Sequence, residues 1–173
     1  MKMPPFGFRL LYRIRRVYWL IAKPTTYGVK ALIIHPVDPD RVLLVRHSYG
    51  DQALWSLPGG GYKPVREKPE QAARRECVEE LGIESDAYAH VLEEHLTTTG
   101  GKQGHLKIVR LHAISDKVTT NGEISEARWV SVDLTELPSN PAVSKWVHSA
   151  LKAHATSPLK PTGPDGRGQV KKS

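Results

Sequence analysis

The sequence predicts a mixed α/β fold in which helices cover a sheet. Short segments rich in apolar and β-branched residues recur along the chain and read as strands. A helical stretch at 69–81 lies among them, and a second at 141–154 follows the last. Strands that outnumber helices, with a helix inserted between them, specify a layered α/β architecture.

Taken in order, residues 6–22 (FGFRLLYRIRRVYWLIA) read as an amphipathic helix. Leu10, Leu11, Ile14, Val17, Tyr18 and Ile21 share one face at 3.6 spacing, and Arg9, Arg13 and Arg16 line another. Pro24 ends it. Residues 27–35 and 41–47 are apolar runs separated by Pro36-Val37-Asp38-Pro39-Asp40, the turn chemistry of a hairpin. Residues 54–61 form a short strand that runs into glycines. The helix over 69–81 is stopped by Gly82. Strands are expected over 88–98 and 105–114, with Gly100, Gly101 and Gly104 between them. The turn Asn121-Gly122 leads to another strand over 124–132. The helix at 141–154 would be capped by Ser139 or Asn140. From Thr156 onward, prolines and glycines with few apolar residues predict disorder. Three regions result: a basic amphipathic N-terminal helix at 1–24, a folded domain at 25–155 and a basic tail at 156–173.

The net charge of +7 is unevenly placed. Residues 1–37 hold seven Lys/Arg and no acid, whereas residues 38–154 hold 14 basic and 17 acidic residues. The basic ends suit a nucleic acid, an anionic membrane surface or an acidic partner, or are simply solvated. The arginine-rich face of 6–22, with Trp19 and two tyrosines, suits peripheral membrane contact; the alternative is packing on the adjoining domain. No apolar run is long enough to span a bilayer. A single cysteine, Cys77, excludes an intrachain disulfide and fits a reducing, cytoplasmic setting.

The chemistry concentrates in residues 61–83, GYKPVREKPEQAARRECVEELGI. Glu76, Glu79 and Glu80 stand at i, i+3 and i+4, so a helix places the three carboxylates on one face. Ala73, Cys77 and Leu81 form the opposing apolar stripe. Like charges at this spacing cost a few tenths of a kcal/mol each, which a hard divalent cation would offset. Oxygen-only ligands suit Mg²⁺ or Mn²⁺ over zinc. An acidic helix face alone is commonplace. The full set of fixed positions, however, has a chance-match frequency of roughly 10⁻⁷ at typical residue frequencies.

At every fixed position, Gly61, Glu67, Arg75, Glu76, Cys77, Glu79, Glu80, Gly82 and Ile83, the segment resembles the Nudix box, G-x5-E-x7-R-E-U-x-E-E-x-G-U with U apolar. Trp55-Ser56-Leu57-Pro58-Gly59-Gly60 is similar to the family's lead-in, and Glu123–Trp129 resembles its closing strand. The resemblance covers about 27–137. It implies an α/β/α sandwich and Mg²⁺-dependent hydrolysis of a phosphoanhydride in a nucleoside diphosphate linked to another group. It further implies Glu79 and Glu80 as main metal ligands and Glu76 as ligand or general base. Glu67 and Arg75 would pair to hold the loop, and Gly61 and Gly82 would support the box. The lead-in is one glycine longer than the family pattern, so Gly60, or Gly59 before it, is the candidate to present a backbone carbonyl to the metal. Glu123 or Glu126 would supply a further carboxylate. Candidate substrate contacts are Arg46, His47, Tyr49, Trp55, His95 and His105, each with ordinary packing as its alternative.

Subgroup markers are missing. ADP-ribose hydrolases of the family tend to carry a proline some sixteen residues beyond the box, but no proline lies between Gly82 and Pro138. Tyr88 is too close to the box for the tyrosine of dinucleoside polyphosphate hydrolases. Three readings therefore stand: an enzyme on free nucleotides, an enzyme on nucleotide-capped RNA 5′ ends, and a non-catalytic Nudix-fold nucleotide-binding module. The intact glutamates argue against the last.

Overall fold

The computed structural model describes residues 25–99, 102–138 and 141–157. The amphipathic segment at 6–22, the cap candidates Ser139 and Asn140, and the tail from 158 onward lie outside the described residues.

Five strands form one sheet: β1 (Thr26–Ile34), β2 (Arg41–His47), β3 (Ser85–Thr99), β4 (Lys102–Ala113) and β5 (Ile124–Ser131). Two helices cover it, α1 (Pro69–Leu81) and α2 (Lys145–Thr156). The strand order is β3-β4-β1-β2-β5. β1 and β4 pair in parallel, from Thr26 opposite Gly104 to Ile34 opposite His112, and the other pairings are antiparallel. The sheet is thus mixed.

Alternation along β1 builds the sandwich. Val29, Ala31 and Ile33 face α1, together with Leu43, Val45, Val109 and Leu111, and meet Ala73, Cys77 and Leu81. Leu32 and Ile34 face α2, with Val42, Leu44, Ile108 and Val130, and meet Val147 and Ala150. A central strand buried on both faces reads as a continuous apolar run, which is what Ala31–Ile34 shows. Each buried Leu or Ile contributes about 1.5–3 kcal/mol of burial free energy.

The hairpin over 27–35 and 41–47 forms, but its strands pair at Ile34 opposite Val42 and then splay. The expected strand at 54–61 explains why. It is a wedge rather than a regular strand, and it runs in the gap between β1 and β2. Ser56 exchanges both backbone hydrogen bonds with Val45, each 2.9 Å. Further on, Ala31 N–H donates to Pro58 O (2.9 Å), Val29 N–H to Gly60 O (2.9 Å) and Tyr62 N–H to Tyr27 O (3.0 Å).

The second helix begins later than the sequence suggests. Ala142–Ser144 lies beside the wedge instead: Trp55 N–H donates to Ala142 O and Ser144 N–H to Trp55 O, both 2.8 Å. Those bonds take backbone groups that a helical turn would need. The helix then starts at Lys145, with the Ser144 hydroxyl accepting from Trp146 N–H at 3.3 Å. Among the described residues no helix is long and apolar enough to cross a membrane.

Candidate active site

Helix α1 starts at Pro69, whose fixed φ suits the first helical position. The Gln71 side chain accepts from the Lys68 amide (2.9 Å). The helix ends at Gly82, φ 62°, a left-handed conformation that glycine adopts without steric cost. Asn121 fastens the C-terminal end: its amide donates to Glu80 O and its side chain to Glu79 O, both 3.0 Å. Its side-chain oxygen accepts from Glu123 N–H at 2.8 Å. Asn121 therefore joins the end of α1 to the start of β5. The sequence marks it only as a turn residue.

The three glutamates of α1 differ in environment. Glu79 is exposed, Glu76 is half-buried, and Glu80 is 4% exposed. The Gly59 amide donates to Glu80 Oε2 at 2.9 Å. Burial pushes the Glu80 carboxyl up to about 7, helped by the charges of Glu76 and Glu123 and opposed by the Gly59 bond and Lys30. Burial also raises Glu76, against the hydrogen bond from Arg75. The glycine turn packs tightly on both. A Cβ on Gly60 would lie 2.6 Å from the Glu76 carboxylate, and one on Gly59 would lie 2.3 Å from Val29 O. Gly59 also has φ 132°, which favours glycine.

Arg75 organises the cluster. It donates to both Glu67 oxygens (2.9 and 3.2 Å), to Glu76 Oε1 (2.9 Å) and to Glu79 Oε2 (3.2 Å), and more loosely to Gly61 O (3.4 Å). These carboxylates hold its guanidinium firmly charged, the Glu67 bond contributing most. Among the described residues no three histidine, cysteine or carboxylate side chains are placed to enclose a cation. The guanidinium stands against Glu76 and Glu79 in this arrangement.

The two candidates for a further carboxylate diverge. Glu126 is held by Arg46 (3.1 Å) and Arg128 (2.8 Å). The charge of Glu123 acts on both Glu76 and Glu80. Gly60 O accepts from Val29 N–H.

Of the candidate substrate contacts, Trp55 is 3% exposed, with the guanidinium groups of Arg46 and Arg128 each 5.7 Å from its ring centre. Arg46 also donates to Gln52 O (2.7 Å). His47 lies against Tyr49, ring centres 5.2 Å apart. Burial, aided by the charge of Lys30, pushes the His47 imidazole down to about 4, and among the described residues its buried Nδ1 has no hydrogen-bond partner. His95 and His105 border a separate cavity of about 690 Å³, together with Gly28, Thr97, Leu106 and Trp146. His105 stacks on Tyr27 at 4.9 Å, and His95 Nε2 lies 2.8 Å from Glu93. The cavity adjoins the box: Gly28 bridges Gly61, and a Cβ on Gly28 would lie 3.7 Å from Gly60 O.

Sandwich and site together define a protein that presents a glutamate-bearing helix beneath a glycine turn wedged into a mixed sheet. The NUDIX domain family model matches residues 26–149, and the chain belongs to the Nudix family. A Mycobacterium tuberculosis protein provisionally named 8-oxo-dGTP diphosphatase 3 is 29% identical over 150 residues, covering 77% of this chain. The chain spans about two thirds (65%) of that relative's length. A MutT Nudix hydrolase from Burkholderia pseudomallei is similar in structure, with TM-score 0.60 and 25% identity, covering 75% of this chain and 98% of the other. A Nudix hydrolase from Nitrosomonas europaea shares the fold at TM-score 0.61 and 20% identity, covering 76% and 89%.

Proposed function

We propose that this protein is a Mg²⁺- or Mn²⁺-dependent pyrophosphohydrolase that cleaves a phosphoanhydride in a nucleoside diphosphate linked to another group. The observation that carries this reading is Glu80. It is a buried carboxylate pinned by the Gly59 amide, beside Glu76 and within electrostatic reach of Glu123. Crowding like charges into a desolvated site is unfavourable unless a cation compensates them. The donor chemistry fits a hard divalent ion: carboxylate oxygens on one helical turn, under a turn whose glycine leaves room that a Cβ would fill.

Glu76, Glu79 and Glu80 would hold the cation, with Glu123 as the further carboxylate, because Glu126 is committed to two arginines. When bound, the ion neutralises the diphosphate and eases deprotonation of water. The chain's own residues do the rest. The Gly59 amide fixes the Glu80 carboxylate. Arg75, anchored by Glu67, orients Glu76. The wedge keeps the turn rigid against β1. The organic part of the substrate would lie in the cavity beside Gly28, where Trp146 and His105 offer ring faces and His95 and Thr97 offer polar edges.

Phosphate release across a panel of nucleoside triphosphates, 8-oxo-dGTP, nucleotide sugars and ADP-ribose tests the reading. Hydrolysis of at least one class is expected with Mg²⁺, loss in EDTA, and recovery on adding Mg²⁺ or Mn²⁺. Turnover that persists in EDTA, or no turnover of any nucleotide, would overturn it.

A further inference from the structure

Lys30 extends from β1 next to the glycine turn. Its ammonium donates to Leu57 O at 2.8 Å. Its Cα would lie 3.0 Å from a Cβ on Gly59, so strand and turn are in contact there. An ammonium carries three N–H donors, and Leu57 takes one. The charges of Glu80 and Glu76 act on it. Yet among the described residues no carboxylate stands within ion-pair distance of Lys30.

The division of contacts is informative. Had Lys30 paired directly with Glu80, both charges would be spent on each other. Instead the Gly59 amide takes Glu80 Oε2, and the ammonium stays tethered to a backbone carbonyl with donors to spare. Burial disfavours the charged form of Lys30, so holding it there is costly unless an anion docks. The residue as a whole is only partly buried. Burial, with the charge of Lys30 adding to it, keeps the His47 imidazole neutral, so that ring adds no second cation.

We propose that Lys30 binds a non-bridging phosphoryl oxygen of the substrate's diphosphate, beside the cation that the glutamates hold. This rests on the pyrophosphohydrolase reading above. Lys30 then supplies the anion-binding half of a site whose carboxylates supply the cation-binding half. Charge-assisted hydrogen bonds of this kind are the strong ones.

The probe is methylenediphosphonate, a diphosphate that cannot be cleaved, titrated calorimetrically into protein saturated with Mg²⁺. Mn²⁺ affinity is measured separately without it. In Lys30→Gln an N–H remains for Leu57 O but the charge is gone. Diphosphonate binding should weaken roughly ten- to a hundredfold, while Mn²⁺ affinity stays level or tightens because a repelling cation has left. Lys30→Arg should bind the probe within a few fold of wild type. Lys30→Met serves as a second neutral variant, with thermal unfolding as the check on folding, and should behave as the glutamine does. Equal diphosphonate affinity in wild type and the neutral variants overturns the proposal. So does a parallel fall in Mn²⁺ affinity, which would make Lys30 a support for the glutamates. A wild type that fails to bind diphosphonate with metal present also overturns it. If the probe binds through Lys30 but no nucleotide is hydrolysed, the pyrophosphohydrolase reading falls and the assignment of Lys30 stands.

Discussion

The Gly59 amide donates to Glu80 Oε2 at 2.9 Å, across 21 residues of chain. That bond couples two things with separate origins: a wedge inserted between β1 and β2, and a carboxylate on the last turn of α1. It makes Glu80 unlike its neighbour Glu79, which is exposed and held by Arg75.

Substitution at the helix should separate a metal site from a merely acidic face. Glu79→Gln and Glu80→Gln should each lower kcat by at least about 10²-fold, comparable to losing one electrostatic contact in a transition state. Glu70→Gln should leave turnover nearly intact, since Glu70 sits in the first turn, where its role is to favour the helix N-terminus. Steady-state kinetics of the three variants decide the matter. Equal losses in all three would mean that overall charge, not a site, is being measured. In EDTA, Glu80→Gln should melt higher than wild type, because it removes a buried charge while retaining an acceptor for Gly59.

The two adjacent glycines should fail differently. Gly59→Ala places a Cβ against the Val29 carbonyl at a φ that L-residues rarely adopt. A loss of about 2–4 kcal/mol in unfolding free energy is expected. Gly60→Ala presses most closely on the Glu76 carboxylate, the movable end of a side chain. It should fold with a near-normal Tm yet lose most activity, because Glu76 is pushed aside. Denaturant melts beside turnover measurements test the pair. A Gly60→Ala protein with full activity would show that the position of Glu76 is not critical.

His47 should make stability depend on pH. Its folded-state pKa is about 4, against an ordinary value of 6.5. Above pH 6.5 the ring is neutral in both states. As pH falls from 6.5 towards 4, the unfolded chain takes up a proton that the folded protein refuses, so stability is lost across that window. Glu80 works the other way in metal-free protein. Its folded value is about 7 against an ordinary 4.5, so stability rises as pH falls between those values. Comparing wild type with His47→Gln in EDTA cancels most of the Glu80 effect. The variant should lose less stability between pH 6.5 and 4.5, and parallel curves would contradict the assignment.

Arg110 should be replaceable. It is 0% exposed, and its guanidinium contacts Tyr88 Oη at 3.2 Å and His154 Nδ1 at 3.3 Å, while among the described residues its Nε has no hydrogen-bond partner. Among the described residues no carboxylate pairs with it. Burying an ion without a counter-ion is costly, and an apolar residue of similar length removes that cost. Arg110→Met should therefore melt at or above the wild-type temperature. A fall of many degrees would show that the link from β4 to the last turn of α2 matters more than desolvation.

By itself the sequence determined what near neighbours decide. Pro69 and Gly82 bracket a helix that the structure places at Pro69–Leu81, and the 3.6 period puts Ala73, Cys77 and Leu81 on its buried side. Apolar runs bounded by turn residues located the strands, and the i, i+3, i+4 spacing within one helix marked the glutamates together. Those signals act over a few residues, through capping, backbone sterics and periodicity, so a linear reading retains them. Tertiary structure alone decided which glutamate is buried, because 76, 79 and 80 share a face and only the sheet and wedge break their equivalence. It decided that 54–61 is a wedge and that α2 starts at Lys145, since these follow from hydrogen bonds of Ser56 with Val45 and of Trp55 with Ala142 and Ser144. It also brought Lys30 and Glu123 to the helix and left Glu126 with its arginines. Each of these depends on pairing between segments tens of residues apart, and the backbone donors and acceptors that make such pairs are the same for nearly every residue type.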